Sequence, residues 1–594
     1  MTDQRRSRGI NKPALVLTLV GGFGLLGYVW SRPTPQEPAG TAAKAQAAGK
    51  TDHVMFGGTP DRNFVNLVEK FSPVQLLPLK EDDKIVKPAD ATLKWTAELG
   101  SRAYGGPSIG GGKIYLGTNN EKPRNPRDQG KNADGDVRPK DMGVLMVLDE
   151  ATGKFLWQAA HDKLEGGNVV DWPKEGICSS PVIDGDRVYY VSNRCTLVCA
   201  DVNGMANGKQ GKGLQFLDPE TKKPKPPYET ATDVDVLWEL DMLGQLGVFP
   251  HNMSACSPLM VGDILFVITA NGVDEGHINL PSPQAPSFVA VDKRTGKVLW
   301  KRADPGKNIM HGQWSNPSYA EIKGVKQVVF PGGDGWIYGF KPETGDLLWK
   351  FDCNPKDAKY ELGGVGTKND FIGTPVIHNG LVYIGVGQDP EHFSGVAHFW
   401  CIDPSKATPM NMDLSPKDTA FDAKDPKNAS SGLVWHYGGA DKRKFVPRDF
   451  TFGRTMSTAT IIDDVLYISE LQGYLHCLDA KTGKKYWQYD MKGAIWGSTV
   501  YVDGKIYIAS ESCDLFVFKH SKTPEVIDEL DIPDAKDNKD FNTKMKEKRK
   551  LVEKAYLLGK CEFDAPIRSS PVIANGVLYV MTENKLYAFE SIKK

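Results

Sequence analysis

Arginine and tryptophan side chains stand directly before several copies of a repeated apolar strand pattern. The five whose chemistry suits cofactor binding are Arg102, Trp314, Arg454, Trp496 and Arg568. Guanidinium groups pair bidentately with carboxylates, and indole rings contribute stacking and cation–π contacts. If the fold gathers these side chains around one axis, we expect them to hold a flat anionic ligand. The alternative is that the aromatic side chains fill a channel while the arginines pair with nearby acids.

Metal-ligating residue types gather in the stretch GQDPEH (387–392), which holds Asp389, Glu391 and His392, and His398 follows. A metal site is conceivable there, but two acids and a histidine on an exposed turn are more often solvated, so the sequence predicts no metal site. A serine nucleophile lacks the G-x-S-x-G context. The glycine-rich pieces IGGGK and PGGDG fall in tight β turns and open no helix, which argues against a phosphate site.

The nine cysteines include no adjacent pair and no C-x-x-C, so neither a zinc ribbon nor a c-type haem attachment is indicated. Cys199, Cys401 and Cys477 fall at equivalent strand positions and are predicted to pack in the core. In an oxidising compartment, a disulfide joining Cys178 to Cys195 or Cys256 is an open possibility.

The elements that must position these side chains are repeated β-hairpins. One half of the repeat is a Thr-Gly turn with a tryptophan four residues after the glycine, found at Trp157, Trp300, Trp349 and Trp487. The other half is an apolar strand, a tight turn and a second apolar strand, as in SPVIANGVLYVM (570–581), and it occurs eight times. The tightest spacing is about 40 residues, which suits one four-stranded propeller blade.

The two ends of the repeat region complement each other. Leu93-Lys94-Trp95 resembles the end of an outer strand with no inner strands before it, whereas 570–594 supplies inner strands without a final T-G-x-x-x-W. The N-terminal strand should therefore complete the last blade and close the ring, which protects the sheet edges. The predicted fold is an all-β, eight-bladed β-propeller with four-stranded blades. The charged segment 534–556 is predicted to be a solvated helical insertion between blades seven and eight.

Connection lengths indicate which face of the ring carries the functional loops. With strands lettered a to d from the axis outwards, the b–c and d–a connections share one face, here called the loop face, and the a–b and c–d turns share the opposite, turn face. Most long connections belong to the loop face, so binding residues are expected there. The insertions 203–233 and 405–431 should emerge on the turn face. The residues expected to ring the channel mouth are Tyr104, Cys178, His251 with Cys256, His311 with Trp314, Asp370 with Phe371, Arg454, Trp496 and Arg568, with Arg102 and Glu175 close by.

The N-terminal region has the composition of a membrane anchor. Residues 1–13 are basic and predicted to be cytoplasmic, and 14–30 are apolar throughout and predicted to be a transmembrane signal anchor. Residues 31–52 read as a flexible linker and 53–594 as the propeller. These features predict a single-pass protein of the bacterial inner membrane with its propeller in the periplasm; a cleaved signal peptide is the alternative. Lys+Arg 73 against Asp+Glu 74 gives no indication of a nucleic-acid partner.

The paired half-motifs P-V-I-x-x-G-x-V-Y-I and D-x-x-T-G-x-x-x-W resemble the pyrroloquinoline quinone (PQQ) repeat over roughly residues 93–594. That family includes eight-bladed quinoprotein alcohol dehydrogenases and the non-catalytic propeller lipoprotein of the outer-membrane β-barrel assembly machine. The dehydrogenases commonly carry adjacent cysteines over the cofactor and an Asp base beside calcium, and this sequence lacks the Cys-Cys pair. The resemblance therefore implies a scaffold that binds cell-envelope proteins and needs no cofactor. The alternative is a PQQ- and calcium-dependent dehydrogenase acting on alcohols or sugars.

Overall fold

The computed structural model describes residues 51–71, 80–81, 84–85, 93–215, 223–360, 366–392 and 395–591. All of them belong to one compact unit. The predicted basic segment, the predicted anchor (14–30) and residues 31–50 of the predicted linker lie outside the described residues. Within the described ranges, no helix is both long enough and apolar enough to cross a membrane.

Eight blades of four antiparallel strands confirm the predicted propeller, and we number the blades 1 to 8 along the chain. The short strand Val65–Asn66 pairs in parallel with strand a of blade 7 and extends that sheet to five strands. Strands b and c of the blades are largely buried apolar runs, as expected for strands covered on both sides by neighbouring blades. The strands of blades 1 to 4, each in the order a to d, are Ser108–Gly110, Lys113–Asn119, Met142–Asp149 and Phe155–Asp162; Val182–Asp184, Arg187–Ser192, Thr196–Asp201 and Val236–Asp241; Leu259–Val261, Ile264–Ile268, Phe288–Asp292 and Val298–Arg302; Ser318–Ile322, Val325–Pro331, Trp336–Phe340 and Leu347–Asp352.

The remaining blades follow the same plan. The strands of blades 5 to 8 are Val376–His378, Leu381–Val386, His398–Ile402 and Leu433–Gly438; Thr460–Ile462, Val465–Ser469, Tyr474–Asp479 and Lys485–Asp490; Val500–Val502, Lys505–Ala509, Asp514–Lys519 and Leu557–Glu562; Val572–Ala574, Val577–Met581, Lys585–Glu590 and Leu93–Glu98. The last strand closes the ring as predicted, with Trp95 opposite Ala588. Outside the blades lie the helices Met242–Leu246 (α1) and Asn538–Tyr556 (α2), the strand Val65–Asn66, and the hairpins Lys80–Glu81 with Lys84–Ile85 and Gln129–Lys131 with Val137–Pro139.

Four blades carry a Thr-Gly turn, and each of these turns joins its blade to the preceding one. The indole N–H of Trp238 in blade 2 donates to the carbonyl of Lys293 at 3.0 Å, inside the turn of blade 3. A Cβ atom on Gly296 of that turn would lie 2.6 Å from the Trp238 ring, so glycine is required by contact as well as by its φ of +74°. Trp95, Trp300 and Trp435 make the equivalent hydrogen bonds to Glu150, Pro342 and Ala480.

Two tryptophans depart from this pattern, and in both cases the following blade lacks the turn. Trp349 of blade 4 precedes the 405–431 insertion and donates instead to the Gln327 side chain at 2.6 Å in its own blade. Trp487 of blade 6 stacks on Tyr556 of α2, with ring centroids 5.0 Å apart. Trp157 of blade 1, by contrast, donates to the Val202 carbonyl of blade 2 at 3.1 Å although that blade has no Thr-Gly turn, so the turn is not required for the contact between blades.

Helix α2 corrects one prediction. It lies inside blade 7, between strand c and strand d, and not between blades seven and eight. Strand d of this blade, LLGKCE (557–562), has glycine where other blades have tryptophan, since Gly559 pairs with Val517 directly after the bulge. The repeat signature is therefore missing from the strand that would have revealed the insertion. Like the insertions 203–233 and 405–431, α2 joins c to d and so belongs to the turn face.

Residues 51–66, here called the plug segment, touch the inner edge of every blade. Its backbone bonds to strand a of blades 1, 2, 4, 5 and 7, through Ile109, Ile183, Tyr319, Ile377 and Tyr501. Its side chains reach the other three: Arg62 donates to Ser257 and Pro258 carbonyls, Asn63 exchanges two bonds with Ile461, and Asn66 donates to Ile573. The described chain thus begins with a segment that closes the channel.

All nine cysteines are free thiols, so none of the considered disulfides is present. Cys195 donates to the Thr269 carbonyl, and the Cys256 sulfur accepts the Ile268 N–H at 3.3 Å. Cys199, Cys401 and Cys477 are fully buried opposite Trp238, Trp435 and Trp487, which confirms their predicted place in the core.

Candidate functional site

A cavity of about 350 Å³ opens on the loop face. Residues from all eight blades line it, which places it on the propeller axis, and Phe56 of the plug segment contributes to its wall from below. The lining residues that carry the argument are Tyr104, Trp172, Glu175, Trp314, Trp496 and Arg568. The loop face therefore does hold a cavity on the propeller axis, as the connection lengths indicate.

Half-buried aromatic rings form much of the wall. Tyr104 and Trp496 lie edge to face with centroids 5.8 Å apart, and the Arg568 guanidinium carbon is 5.5 Å from the Tyr104 centroid and 5.8 Å from that of Trp496. Trp314 is fixed by its indole N–H, which donates to the His251 carbonyl at 3.1 Å. The rings line the channel and leave it open; they do not fill it.

The two arginines near this wall are already neutralised. Arg568 bonds to Glu511 at 2.5 Å and also contacts Glu583, and Arg102 bonds to Glu583 at 3.2 Å and lies 3.5 Å from Glu175. Burial raises the pKa of Glu175, although the nearby charge of Arg102 and a hydrogen bond from Tyr104 oppose that rise. The expected pairing of arginines with acids is what the structure shows here.

Arg454 holds a neighbouring loop and is not among the residues that line the cavity. Its guanidinium donates to the backbone carbonyls of Asp389 at 2.8 Å and His392 at 2.9 Å. It therefore fixes the b–c loop of blade 5, while Met456, two residues closer to strand a, lines the cavity. Of the five predicted cofactor-binding residues, the structure brings Trp314, Trp496 and Arg568 to the cavity and leaves Arg102 and Arg454 in supporting contacts.

Four histidines meet beside the cavity: His251, His277, His311 and His392. Asp389 and Glu391 lie among them, and both also line the cavity. Burial, and then the charge of His311, lowers the pKa of His251 to about 3. Burial opposes the protonation of His311, but hydrogen bonds to Asp389 and Glu391 prevail and raise its pKa to about 9.

Sequence reasoning located part of this cluster and missed the rest. His251, His311 and the GQDPEH loop were recognisable, but Asp389 is buried and His392 mostly so, unlike the solvated turn that was expected. His277 gave no signal, because it lies within a long b–c loop at a left-handed φ of +55°. Phe56 and Trp172 gave none either, since neither lies directly before an a strand.

The residues present do not fit PQQ with calcium. PQQ is a flat tricarboxylate, yet the cavity wall carries the carboxylates of Glu175, Asp389 and Glu391 against one arginine, Arg568, that two glutamates already neutralise. The nearest cluster of metal ligands is rich in imidazole, whereas calcium takes oxygen ligands.

Comparison with known proteins confirms the resemblance to PQQ-repeat propellers. The family model described as outer membrane protein assembly factor BamB matches residues 230–405 and 420–521, which is under half of the chain. Tetrathionate hydrolase from Acidithiobacillus ferrooxidans is 24% identical over 161 residues, which cover 27% of this chain and 26% of that protein. The chain thus matches about a quarter of the length of that curated relative.

Two solved structures align with most of this chain. BamB from Moraxella catarrhalis aligns with 78% of this chain and 95% of its own at 13% identity and a TM-score of 0.42. Quinohemoprotein alcohol dehydrogenase from Comamonas testosteroni aligns with 92% of this chain and 82% of its own at 12% identity and a TM-score of 0.41.

Proposed function

We propose that this protein binds a small organic molecule in its axial cavity, and that the ligand is neutral or positively charged and carries a flat ring. The observation that supports this most is the charge of the wall, which has three carboxylates and a single arginine already paired with two acids. Arg102 partly balances Glu175, and a protonated His311 partly balances Asp389 and Glu391, but the carboxylates still outnumber the cations, so a cation is favoured over an anionic ligand.

The aromatic lining suits the same class of ligand. Tyr104, Trp172, Trp314 and Trp496 are each only partly buried and contribute to the cavity wall. Rings of this kind attract cations through their electron-rich faces and stack on flat groups. A volume of about 350 Å³ lies at the lower end of the range typical of small-molecule sites.

A protein-binding scaffold is the second candidate, and the match to the BamB family model favours it. We consider it the weaker one, because the large exposed apolar side chains of the loop face, Val137, Leu243, Ile278 and Tyr360, come from four different loops. From residues 1–30 alone we further propose that the propeller is anchored in the bacterial inner membrane and works in the periplasm beside other cell-envelope proteins.

The test compares two flat ligands of opposite charge. The chain is titrated with proflavine, a tricyclic cation, and separately with PQQ plus Ca²⁺, and binding is measured by calorimetry. Proflavine is expected to bind in the presence of a chelator, and Glu175→Gln is expected to weaken it roughly tenfold, which corresponds to about 1.4 kcal/mol. Glu321→Gln, at an exposed position in strand a of blade 4, is the matched control and should change nothing.

Two outcomes would contradict the proposal. If PQQ with Ca²⁺ binds and raises the melting temperature while proflavine does not, the protein is a quinoprotein. If neither ligand binds to folded protein, the cavity is no binding site of this class and the scaffold becomes the first candidate.

A further inference from the structure

Four of the chain's eleven histidines converge at one point of the loop face. The Nε2 atom of His311 lies 2.7 Å from Nε2 of His251 and 3.1 Å from Nε2 of His277. The carboxylate Oε2 of Glu391 lies 3.2 Å from the same His311 atom and 3.9 Å from Nε2 of His277. Four potential ligand atoms, one from each side chain, thus lie within 4.8 Å of one another.

The opposite nitrogens of two of these rings are held by acceptors. Nδ1 of His251 faces the Val273 carbonyl at 2.7 Å, and Nδ1 of His311 faces the Asp389 carboxylate at 2.9 Å. A hydrogen-bond acceptor at Nδ1 keeps the proton on that nitrogen, so the neutral ring presents a lone pair at Nε2. Two such lone pairs 2.7 Å apart repel each other, so the pair needs a shared positive charge, either the proton of a protonated His311 or a metal ion.

We propose that His251, His277, His311 and Glu391 bind a divalent transition-metal ion of the zinc class at the wall of the axial cavity. In a tetrahedral site with metal–ligand bonds of about 2.0 to 2.1 Å, neighbouring ligand atoms are about 3.3 Å apart. The separations of 2.7, 3.1, 3.2 and 3.9 Å bracket that value. Imidazole nitrogens suit zinc, cobalt, nickel and copper, whereas calcium and magnesium prefer oxygen.

The scaffold brings these ligands together from four separate connections. His251 and His311 lie on the d–a connections that enter blades 3 and 4, His277 lies on the b–c loop of blade 3, and Glu391 lies on the b–c loop of blade 5. Gly272 allows the first two loops to approach, because a Cβ atom there would lie 2.5 Å from the His251 Cβ and from the His311 carbonyl.

The surroundings have the form of an outer ligand shell. Metal-bound histidines usually donate their second N–H to a carboxylate or carbonyl, which orients the ring. Asp389 does this for His311 and also accepts from His392, whose Nε2 has no hydrogen-bond partner among the described residues. Arg454 holds the same loop through the Asp389 and His392 carbonyls.

The experiment uses metal alone, so it is independent of the cavity ligand. The full chain, purified without a histidine tag, is stripped with chelator and titrated with Zn²⁺ against a chromophoric competitor. One equivalent is expected to bind. His311→Gln and Glu391→Gln should each weaken binding at least tenfold, and Asp389→Asn should weaken it by about 10- to 100-fold, the usual range for an outer-shell partner.

The matched control is His436→Gln. His398 and His436 are also two adjacent imidazoles, 2.8 Å apart, but among the described residues they belong to no cluster of three or more ligands. This variant should bind Zn²⁺ like the parent chain. A second readout needs no variant: the Co²⁺ form should show the intense visible bands of a four-coordinate site.

The rival explanation is that a protonated His311 bridges the acids and no metal binds. Failure of folded parent chain to bind Zn²⁺ or Co²⁺, or unchanged binding in the His251→Gln/His311→Gln double variant, would overturn the proposal. Loss of binding in the His436→Gln control while it stays folded would do the same. Metal binding without proflavine binding would leave this site intact and refute only the proposed cavity ligand.

Discussion

Buried carboxyl groups in this propeller are held in two opposite ways. Asp334, at the start of strand c in blade 4, accepts from the Tyr338 hydroxyl at 2.6 Å and the Trp336 N–H at 3.1 Å, and no cation pairs with it among the described residues. Burial prevails over these bonds and raises its pKa to about 7. Glu470 is equally buried, but Arg448 and His476 hold its pKa below the ordinary value against the effect of burial.

The raised pKa of Asp334 predicts a pH-dependent loss of stability. Between the unfolded value near 4 and the folded value of about 7, the native state binds more protons than the unfolded state, so this group makes stability fall as pH rises. Asp334→Asn should therefore gain about 1 to 4 kcal/mol relative to the parent between pH 4 and pH 8. Melting temperatures across that range measure the gain. The same change at exposed Asp186 should show none, and an equal profile for both variants would contradict the assignment.

The charge on Glu470 predicts a strong effect of removing its partner. Arg448 contacts both carboxylate oxygens, at 2.5 and 2.6 Å, and His476 donates to the same group at 2.6 Å. Arg448→Met should destabilise the fold by about 3 to 5 kcal/mol, because a buried charge loses its main partner. Adding Glu470→Gln should recover part of that loss. Strictly additive effects of the two substitutions in thermal or denaturant unfolding would mean that the pair is not coupled.

At the scale of elements, the contact between a tryptophan and the next blade's Thr-Gly turn is the repeated unit of the ring. The turn needs glycine for two separable reasons, a positive φ and the closeness of the indole. Gly296 meets both requirements, since a Cβ atom there would lie 2.6 Å from the Trp238 ring. Gly504, in the a–b turn of blade 7, has a φ of +76° but nothing within 4 Å of its Cβ position.

These two glycines form a matched pair for measuring the contact. Gly504→Ala should cost about 1 kcal/mol, the strain of a left-handed residue. Gly296→Ala should cost about 1 to 3 kcal/mol more, because the methyl group must displace Trp238. Unfolding midpoints of the two variants give the difference. If both cost the same, the tryptophan contact adds nothing to the conformational requirement.

The sequence was sufficient for elements that carry a local signature and insufficient for those that do not. The Thr-Gly turns and the Leu93–Trp95 strand were predictable because spacing and turn chemistry fix them. The place of α2 was not, since Gly559 occupies the tryptophan position of its blade. The histidine cluster was only half visible, because His277 reaches it through a loop whose path depends on contacts from other blades.

At the scale of the whole molecule, the plug segment holds all eight blades through a few backbone groups and three side chains, of which Arg62 makes the most bonds. Arg62 is completely buried and donates to the carbonyls of Phe56, Ser257, Pro258 and Pro317. Burial lowers its pKa to about 10, so it remains charged at neutral pH. The role of Arg62 could not be predicted from the sequence pattern, because three of its four partners lie about 200 or more residues away.

Removal of the Arg62 guanidinium should lower the stability of the whole propeller. Arg62→Met should destabilise the fold by about 3 to 5 kcal/mol, because several buried carbonyls lose their donor at once. It should also make residues 51–66 accessible to limited proteolysis. Arg138→Met, on an exposed hairpin, should stay within about 0.5 kcal/mol of the parent. Equal protease resistance of the two variants would show that Arg62 does not hold the plug segment.

The position of the plug segment and the closing strand also sets an order of events during synthesis. Residues 51–66 and 93–98 leave the ribosome before every other strand of the eight blades, yet their partners include Ile573 and Lys585–Glu590, which are translated after the other seven blades. The ring therefore cannot close until translation of the repeat region is complete. Until then both sheet edges of the growing array stay open to mispairing, and such edges are where aggregation begins. The yield of folded protein should accordingly rise when synthesis is slow and chaperones are abundant. Removal of blade 8 should also remove the contacts that hold residues 51–66 and 93–98.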